Sequence, residues 1–275
     1  MNKSLILIDT SYTLFYRFYA TIRWFSFKYP EEFNELKKQI DYDWYTNEIF
    51  KEKFEKLYLE SIIKIIGKKV FNNSDILFCV DSPNNWRIEL YCDYKINRKK
   101  NNKYYFENMF NYSYNTIIPN ILKDFKNTNY IKIPNIEADD IIGCICLNLK
   151  ENKLYDKIYI LSGDDDFLQL GRDDIIFTNF KNKNKILTEE EAYIALQKKV
   201  ILGDKSDCIN GILTRKDKNR TELLKSKTKL DEFLLLNPEI NKKYILNDLI
   251  INFNKIPIKY YNKIIKIFNK LSIKL

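Results

Sequence analysis

Residues 159–170, Y-I-L-S-G-D-D-D-F-L-Q-L, constrain this chain more than any other stretch. An apolar run carries the backbone into three consecutive carboxylates, and an apolar sequence resumes directly behind them. Such a run, bounded by Gly and Asp, reads as a buried strand ending in a turn, with Asp164 and Asp166 at the strand's carboxyl end. Open α/β sheets bind their ligands at that end. Two carboxylates about 4 Å apart repel by about 4 kcal/mol at an effective dielectric of about 20, a cost that a bound cation removes. Asp is also an ordinary turn former, so the remaining acids must decide.

The same pattern recurs along the chain. Residues 4–8 form a strand candidate ending at Asp9, with Thr10 and Ser11 able to cap a first helix over 12–18. Residues 30–43 are polar and irregular and read as a linker or insertion. A 3.6-residue apolar period over 44–70 predicts a helix ending near Gly67. Residues 75–80 give a second strand ending in Asp81, stopped by Ser82-Pro83. Residues 86–94 are amphipathic, 95–102 densely basic, and 104–114 aromatic and Asn-rich without firm periodicity, the reading of a surface arch. A helix over 116–125, a strand at 130–133 and a helix opening at Glu137 follow, with strands at 156–161, 175–178 and 185–187. Alternating strands and helices imply a predominantly parallel sheet covered on both faces. At Thr188 a capping box with Glu191 opens a helix. Helices at 232–236, 238–253 and 258–271 end the chain, which divides near residue 188.

In a parallel sheet all strand ends face one edge, so Asp9, Asp81, the Glu137/Asp139/Asp140 group and Asp164/Asp166 can share a crevice, joined by Asp204 and Asp207. The chain contains no His, which removes imidazole ligands, His bases and His triads from consideration. Its five Cys form no C-x-x-C pair and read as reduced thiols of an intracellular protein. Hard carboxylate oxygens in that setting suit Mg²⁺ or Mn²⁺ rather than structural zinc. The first residues offer no adequate signal-peptide core, and no run approaches the roughly 18 apolar residues of a membrane span. A net charge of +9 favours a polyanionic partner.

L-I-D-T-S at 7–11, F-C-V-D-S at 78–82, W-R-x-E-L-Y and D-Y-K-x-N-R within 86–98, E-A-D-D at 137–140, S-G-D-D-D-F-L-Q-L at 162–170 and L-G-D-K-S-D at 202–207 stand in a specific order. That ordered set resembles the flap endonuclease/5′→3′ exonuclease family over nearly the whole chain. The resemblance implies a PIN-like α/β nuclease core over residues 1–187 with a basic arch at 87–115, and a helical nucleic-acid-binding subdomain over 188–275. It implies hydrolysis of phosphodiesters in DNA with a 5′ end, flap or nick, and of RNA–DNA primers, during replication or repair. By motif, Asp9, Asp81, Glu137, Asp139, Asp140 and Asp164 correspond to the tighter ligand set for two Mg²⁺ ions, with Mn²⁺ as a substitute. Asp166, Asp204 and Asp207 correspond to the second set. Lys95 corresponds to the residue approaching the scissile phosphate, with Arg98 in the same motif; Asp164 completes the catalytic expectation.

Two ions about 4 Å apart could activate water and stabilise the leaving oxygen without a side-chain base. Arg87, Lys95, Arg98 and Lys99 are the phosphate-facing candidates, and Tyr94 a stacking surface for the terminal base. Lys205, Arg215 and Lys216 supply a second basic field for phosphate positioning, although the second glycine pair usual in relatives is missing after Gly211. The expected protein is a monomer without membrane contact, partnered by a single-strand-binding protein or sliding clamp as relatives are, in the cytoplasm and virus-encoded or bacterial. Two alternatives stay open: a PIN-type ribonuclease cutting single-stranded RNA, and an inactive nucleic-acid-binding replication factor.

Overall fold

Why the strands alternate in what they bury is visible in the first one. In β1 (Ser4–Asp9), Leu5 and Leu7 face one layer of core and Ile6 and Ile8 the other, as the two-residue period of a strand requires when both faces are covered. The computed structural model describes residues 3–39, 41–97, 104–181, 184–214, 216–217 and 220–272. Its sheet has the order β3-β2-β1-β4-β5 and is parallel throughout, with β2 at Ser74–Val80, β3 at Thr128–Lys132, β4 at Lys157–Leu161 and β5 at Ile175–Thr178. The predicted mainly parallel α/β core is therefore present. Register sets Asp9 level with Cys79 and Ile8 level with Leu161. Strand order reverses at β1, so a crevice opens between the carboxyl ends of β1 and β4.

One face is covered by α1 (Thr10–Lys28), α2 (Pro30–Leu36), α3 (Glu48–Ile66) and the short α4 (Lys68–Asn72). The first helix runs ten residues beyond the expected end at Phe18, because Thr21, Ile22 and Phe25 continue its buried stripe. The expected linker over 30–43 contains α2 instead. Pro30 fixes its first turn, Glu31 and Glu32 favour its N-terminal dipole, and Phe33 packs on Trp44 at 5.5 Å. The third helix ends at Gly67 as predicted.

After α5 (Arg87–Leu90), a single turn, comes a further departure. Residues 104–114 do not stand off as an arch. They form α6 (Glu107–Tyr112) and enter a π turn at Ser113–Ile117 that leads into α7 (Ile118–Asp124). Phe106 and Met109 are buried, and Phe106 packs on Phe15 and Phe18 of α1. The exposed Asn108, Asn111 and Asn115 and the wider π turn hid this period from a 3.6-residue reading.

The opposite face carries α8 (Ala138–Glu151) and, from the far end of the chain, α13 (Ile258–Ser272). Between them in sequence lie α9 (Glu189–Leu202), α10 (Arg220–Lys225), α11 (Lys227–Leu236) and α12 (Pro238–Ile251). The predicted Thr188/Glu191 capping box is formed. Ile264, Ile265 and Phe268 of α13 join the same core cluster as Leu5, Leu77 and Ile141, so residues on both sides of position 188 share that core. The expected strand at 185–187 is reduced to one bridge, Phe177 to Lys185. An unpredicted hairpin joins β6 (Gly203–Asp204) to β7 (Ile209–Asn210). Gly203 leads into it from the end of α9 at φ +74, where a Cβ would collide with the Ile209 carbonyl oxygen. Among the described residues no helix is long and apolar enough to cross a membrane.

Candidate functional site

A cleft of about 1380 Å³ opens at the carboxyl edge of the sheet, and Asp9, Asp81, Glu137, Asp139, Asp164 and Asp204 line it. Each acid is placed by an element end. Asp9 ends β1 and caps α1, accepting from the Tyr12 amide at 3.0 Å and the Ser162 hydroxyl at 2.8 Å. Asp81 follows β2; it accepts from Ser11 Oγ at 2.6 Å and from the Ala138 amide in the first turn of α8 at 2.8 Å. Asp164 caps the 3₁₀ turn Asp165–Leu170 through the Asp166 amide at 2.9 Å. Asp165, between them, is exposed at the cleft rim.

Asp166 and Asp207 lie behind the cleft, in a gap of about 10 Å³ that Glu137, Asp139 and Asp204 also line. Asp140 reaches neither space. It is fully buried, its oxygens bonded by Arg87 Nη2 at 2.7 Å, Arg87 Nη1 at 3.0 Å and Trp86 Nε1 at 2.9 Å. The expectation of a metal ligand there is corrected: Asp140 is the internal counter-ion of Arg87, with its lone pairs already used.

Arg87 is likewise no surface contact for phosphate. At 3% exposed, it also donates to the Ile250 carbonyl at 2.7 Å and reaches Glu137 at 3.3 Å. Tyr94 is 7% exposed and offers no face for stacking; its hydroxyl donates to Glu137 at 3.0 Å. Lys95 lines the cleft, its ammonium 2.5 Å from Glu137 and 3.8 Å from Asp207. Lys205 is exposed at the cleft, and Lys216 is exposed outside its lining. Arg98, Lys99 and Arg215 lie outside the described residues.

Sequence reasoning missed Lys199. In the last turns of α9, its ammonium binds Asp166, lies 2.9 Å from Asp204 and 3.7 Å from Asp164. No regular spacing links a helical Lys to acids on a separate turn and hairpin; only the fold brings them together. Ser11 and Ser162 were missed too, although each stands within two residues of a strand-end acid or strand end.

The acids divide by how they are compensated. Burial, then Asp81 and Asp164, raise the Asp9 carboxyl to about 7. Burial also pushes Asp139 well up; Lys95 opposes the shift, and Asp9 and Asp164 add to it. Asp166 is raised to about 6 by burial and Asp164 despite Lys199. At Asp204 burial is outweighed by hydrogen bonds from Ser206 and Lys199, and the carboxyl falls to about 2. Glu137 is lowered, burial being outweighed by Lys95 and Arg87.

Crowded carboxylates raised by one another are what a bound cation would relieve, and a donor set of hard oxygens suits magnesium or manganese. Among the described residues no three acidic or thiol side chains already close around one point tightly enough to hold an ion. The donors fit in kind and share a cleft; closing on an ion requires side-chain rotation.

A family model for the 5′-3′ exonuclease N-terminal resolvase-like domain matches residues 4–199, which carry the whole sheet and all the acids except Asp204 and Asp207. The chain belongs to the 5′-3′ exonuclease family. It is 34% identical to a 5′-3′ exonuclease of Buchnera aphidicola subsp. Schizaphis graminum over 56% of this chain and 53% of that protein. With a 5′-3′ exonuclease of Mycoplasmopsis pulmonis the identity is 30% over 69% of this chain and 64% of the relative. The chain thus spans about half to two thirds of the length of these curated family members. Among solved structures, a bacteriophage T5 flap endonuclease pseudo-enzyme–product complex with DNA and metal ions has the same fold. Its TM-score is 0.59 at 17% identity, covering 96% of this chain and 98% of that one.

Proposed function

We propose that the chain is a divalent-metal-dependent phosphodiester hydrolase, a 5′-3′ exonuclease and structure-specific flap endonuclease acting on 5′-ended, flapped or nicked DNA and on RNA–DNA primers. The observation that carries this reading is the gathering of strand-end acids in one cleft at the reversal point of the sheet, on the elements matched by the exonuclease family model. The T5 complex, which contains DNA and metal ions, supports the substrate class and the metal requirement.

Asp9, Asp81, Glu137, Asp139 and Asp164 would hold one of two magnesium ions, and Asp166, Asp204 and Asp207 the other, with manganese as a substitute. When bound, such ions polarise the phosphate and make water acidic enough to attack at neutral pH. The chain's own part is positional. Ser11 and Ser162 fix the rotamers of Asp81 and Asp9 through their hydroxyls. Lys95, Lys199 and Lys205 bring positive charge to the cleft, where a phosphate oxygen can exchange for a carboxylate partner. With no His in the chain, no imidazole takes the water proton. Arg98 and Lys99, in the basic segment 87–115, and Arg215 and Lys216, in the helical nucleic-acid-binding region over 188–275, are proposed to grip the phosphate backbone. A monomer, an intracellular setting and a single-strand-binding protein or clamp as partner complete the proposal.

Purified protein should cleave labelled 5′-flap and nicked DNA, and RNA–DNA hybrid, faster than single-stranded RNA in Mg²⁺. Asp81→Ala and Asp164→Ala should each lose on the order of 10²-fold or more, the scale seen when one transition-state stabilising group is removed. Full cleavage by either variant, or by wild type in excess chelator, overturns the mechanism; preferential cutting of single-stranded RNA overturns the substrate.

A further inference from the structure

The last helix, α13, carries Lys259, Lys263, Lys266 and Lys270 and no acidic residue. At 100° per residue these positions fall within an arc of roughly 60°, and they span roughly 16 Å of helix axis. All four are exposed. Directly opposite, Ile264 and Phe268 are buried, and with Ile265 they lock the helix onto the main core beside α8. The stripe therefore cannot turn inward without unpacking the core. Three other long helices dilute their lysines with acids: α3, α9 and α12 carry Glu in the first turn, and Lys242 pairs with Glu239 at 2.8 Å. Among the described residues no carboxylate lies within 4.0 Å of any ammonium of the α13 stripe.

Packed rings connect the first turn of α13 to the buried Asp140. Lys259 lies over the Tyr260 ring at 4.7 Å, Tyr260 packs on Trp86 at 6.2 Å, and Trp86 donates to Asp140 at 2.9 Å, behind the cleft. Successive lysines rise roughly 4.5–6 Å along the helix axis. That spacing is comparable to one to two nucleotide steps of about 3.4 Å along one duplex strand.

From this geometry we infer that the outer face of α13 is a docking surface for the phosphate backbone of a duplex arm leading away from the cleft. The inference deepens the nuclease reading and rests on it for the identity of the polyanion. Backbone contacts of this kind hold register and carry no sequence information, and each neutralised phosphate steepens the salt dependence of binding by about 0.9 in the log–log slope.

The test compares the full chain with a Lys259→Gln, Lys263→Gln, Lys266→Gln, Lys270→Gln variant. Binding to 5′-flap DNA is measured by anisotropy across salt, in chelator so that nothing is cut. One substrate has a duplex arm of about two helical turns, the other about half a turn. The variant should lose roughly 10- to 100-fold in affinity for the long arm and flatten its salt slope by about two to four. It should bind the short arm within about twofold of wild type, and four Lys→Arg substitutions should restore the long-arm binding, since charge without a specific geometry suffices for phosphate. Unchanged long-arm binding overturns the inference, as does an equal loss on both arms. Cleavage by wild type in Mg²⁺ is scored separately, so a protein that binds in this way without cutting would overturn the nuclease reading and leave the docking surface standing.

Discussion

Asp139 and Asp140 are neighbours on the first turn of α8, yet they occupy opposite electrostatic regions. Asp140 is sealed from solvent and meets a bidentate guanidinium and an indole N–H. Asp139 faces the cleft, where burial and the charges of Asp9 and Asp164 raise its carboxyl against the pull of Lys95. A helix turns 100° per residue, so one step along the chain takes the side chain from a closed ion pair to an open field of like charge. The closed region holds α5, α8 and α12 together through Arg87, which bonds Asp140, Glu137 and the Ile250 carbonyl. The open region is left short of positive charge. Stability belongs to the first and cation demand to the second.

The comparison breaks most visibly at Arg87. Arg87→Ala should destabilise the protein by about 3–5 kcal/mol in urea denaturation, because it leaves Asp140 charged, buried and unpaired. Replacing both partners, as Arg87→Met with Asp140→Leu, should recover a large part of that loss. If the single variant costs less than about 1 kcal/mol, the closed region is not the anchor described here.

In the open region the expected effect is smaller and depends on pH. The Asp9 carboxyl is raised from 3.8 to about 7, so the folded state binds its proton more tightly than the unfolded chain does. The associated stability is present in full below the unfolded value of 3.8 and is lost as pH climbs through about 7. Metal-free protein should therefore melt at lower temperature at pH 8 than at pH 5, and Asp9→Asn should flatten that difference. Saturating Mg²⁺ should raise the pH 8 melting temperature of wild type more than that of Asp9→Asn. Parallel wild-type and Asp9→Asn pH profiles would show that the cleft's repulsion is relieved in some other way.

The sheet and the strand-end acids were legible because both obey simple periods. Apolar runs ending in Asp9, Asp81 and Ser162-Gly163-Asp164 mark parallel strand ends whatever the rest of the chain does. The E-A-D-D motif was legible as a helix start but not as two environments, since which carboxylate meets Arg87 depends on α5 packing beneath α8. Tyr94 reads as a stacking residue from its basic neighbours, while the fold places it under Glu137 in a small apolar cluster with Val200, Ile209 and Ile250. The helix at 30–36 and the packed segment 104–117 were obscured by charged and Asn residues on their solvent sides. In each case the hidden information was a partner distant in sequence.

Lys199 tests the boundary between the two regions, because it compensates acids inside the cleft instead of outside it. Its ammonium is held among Asp164, Asp166 and Asp204; burial works against its charge, but Asp166 and the Asp204 hydrogen bond outweigh that and hold it above the usual lysine range. A cation entering beside Asp166 and Asp204 must push this ammonium aside or share the carboxylates with it. Lys199→Met keeps the length and removes the charge, so it should tighten Mn²⁺ binding, read by electron paramagnetic resonance without nucleic acid, by roughly tenfold or about 1.4 kcal/mol. The same change at Lys205, which meets no carboxylate within 4.0 Å among the described residues, should move Mn²⁺ affinity less. Weaker binding in Lys199→Met would mean that the lysine organises the carboxylates for the ion. The difference between the two outcomes is one of sign, which makes the measurement decisive at modest precision.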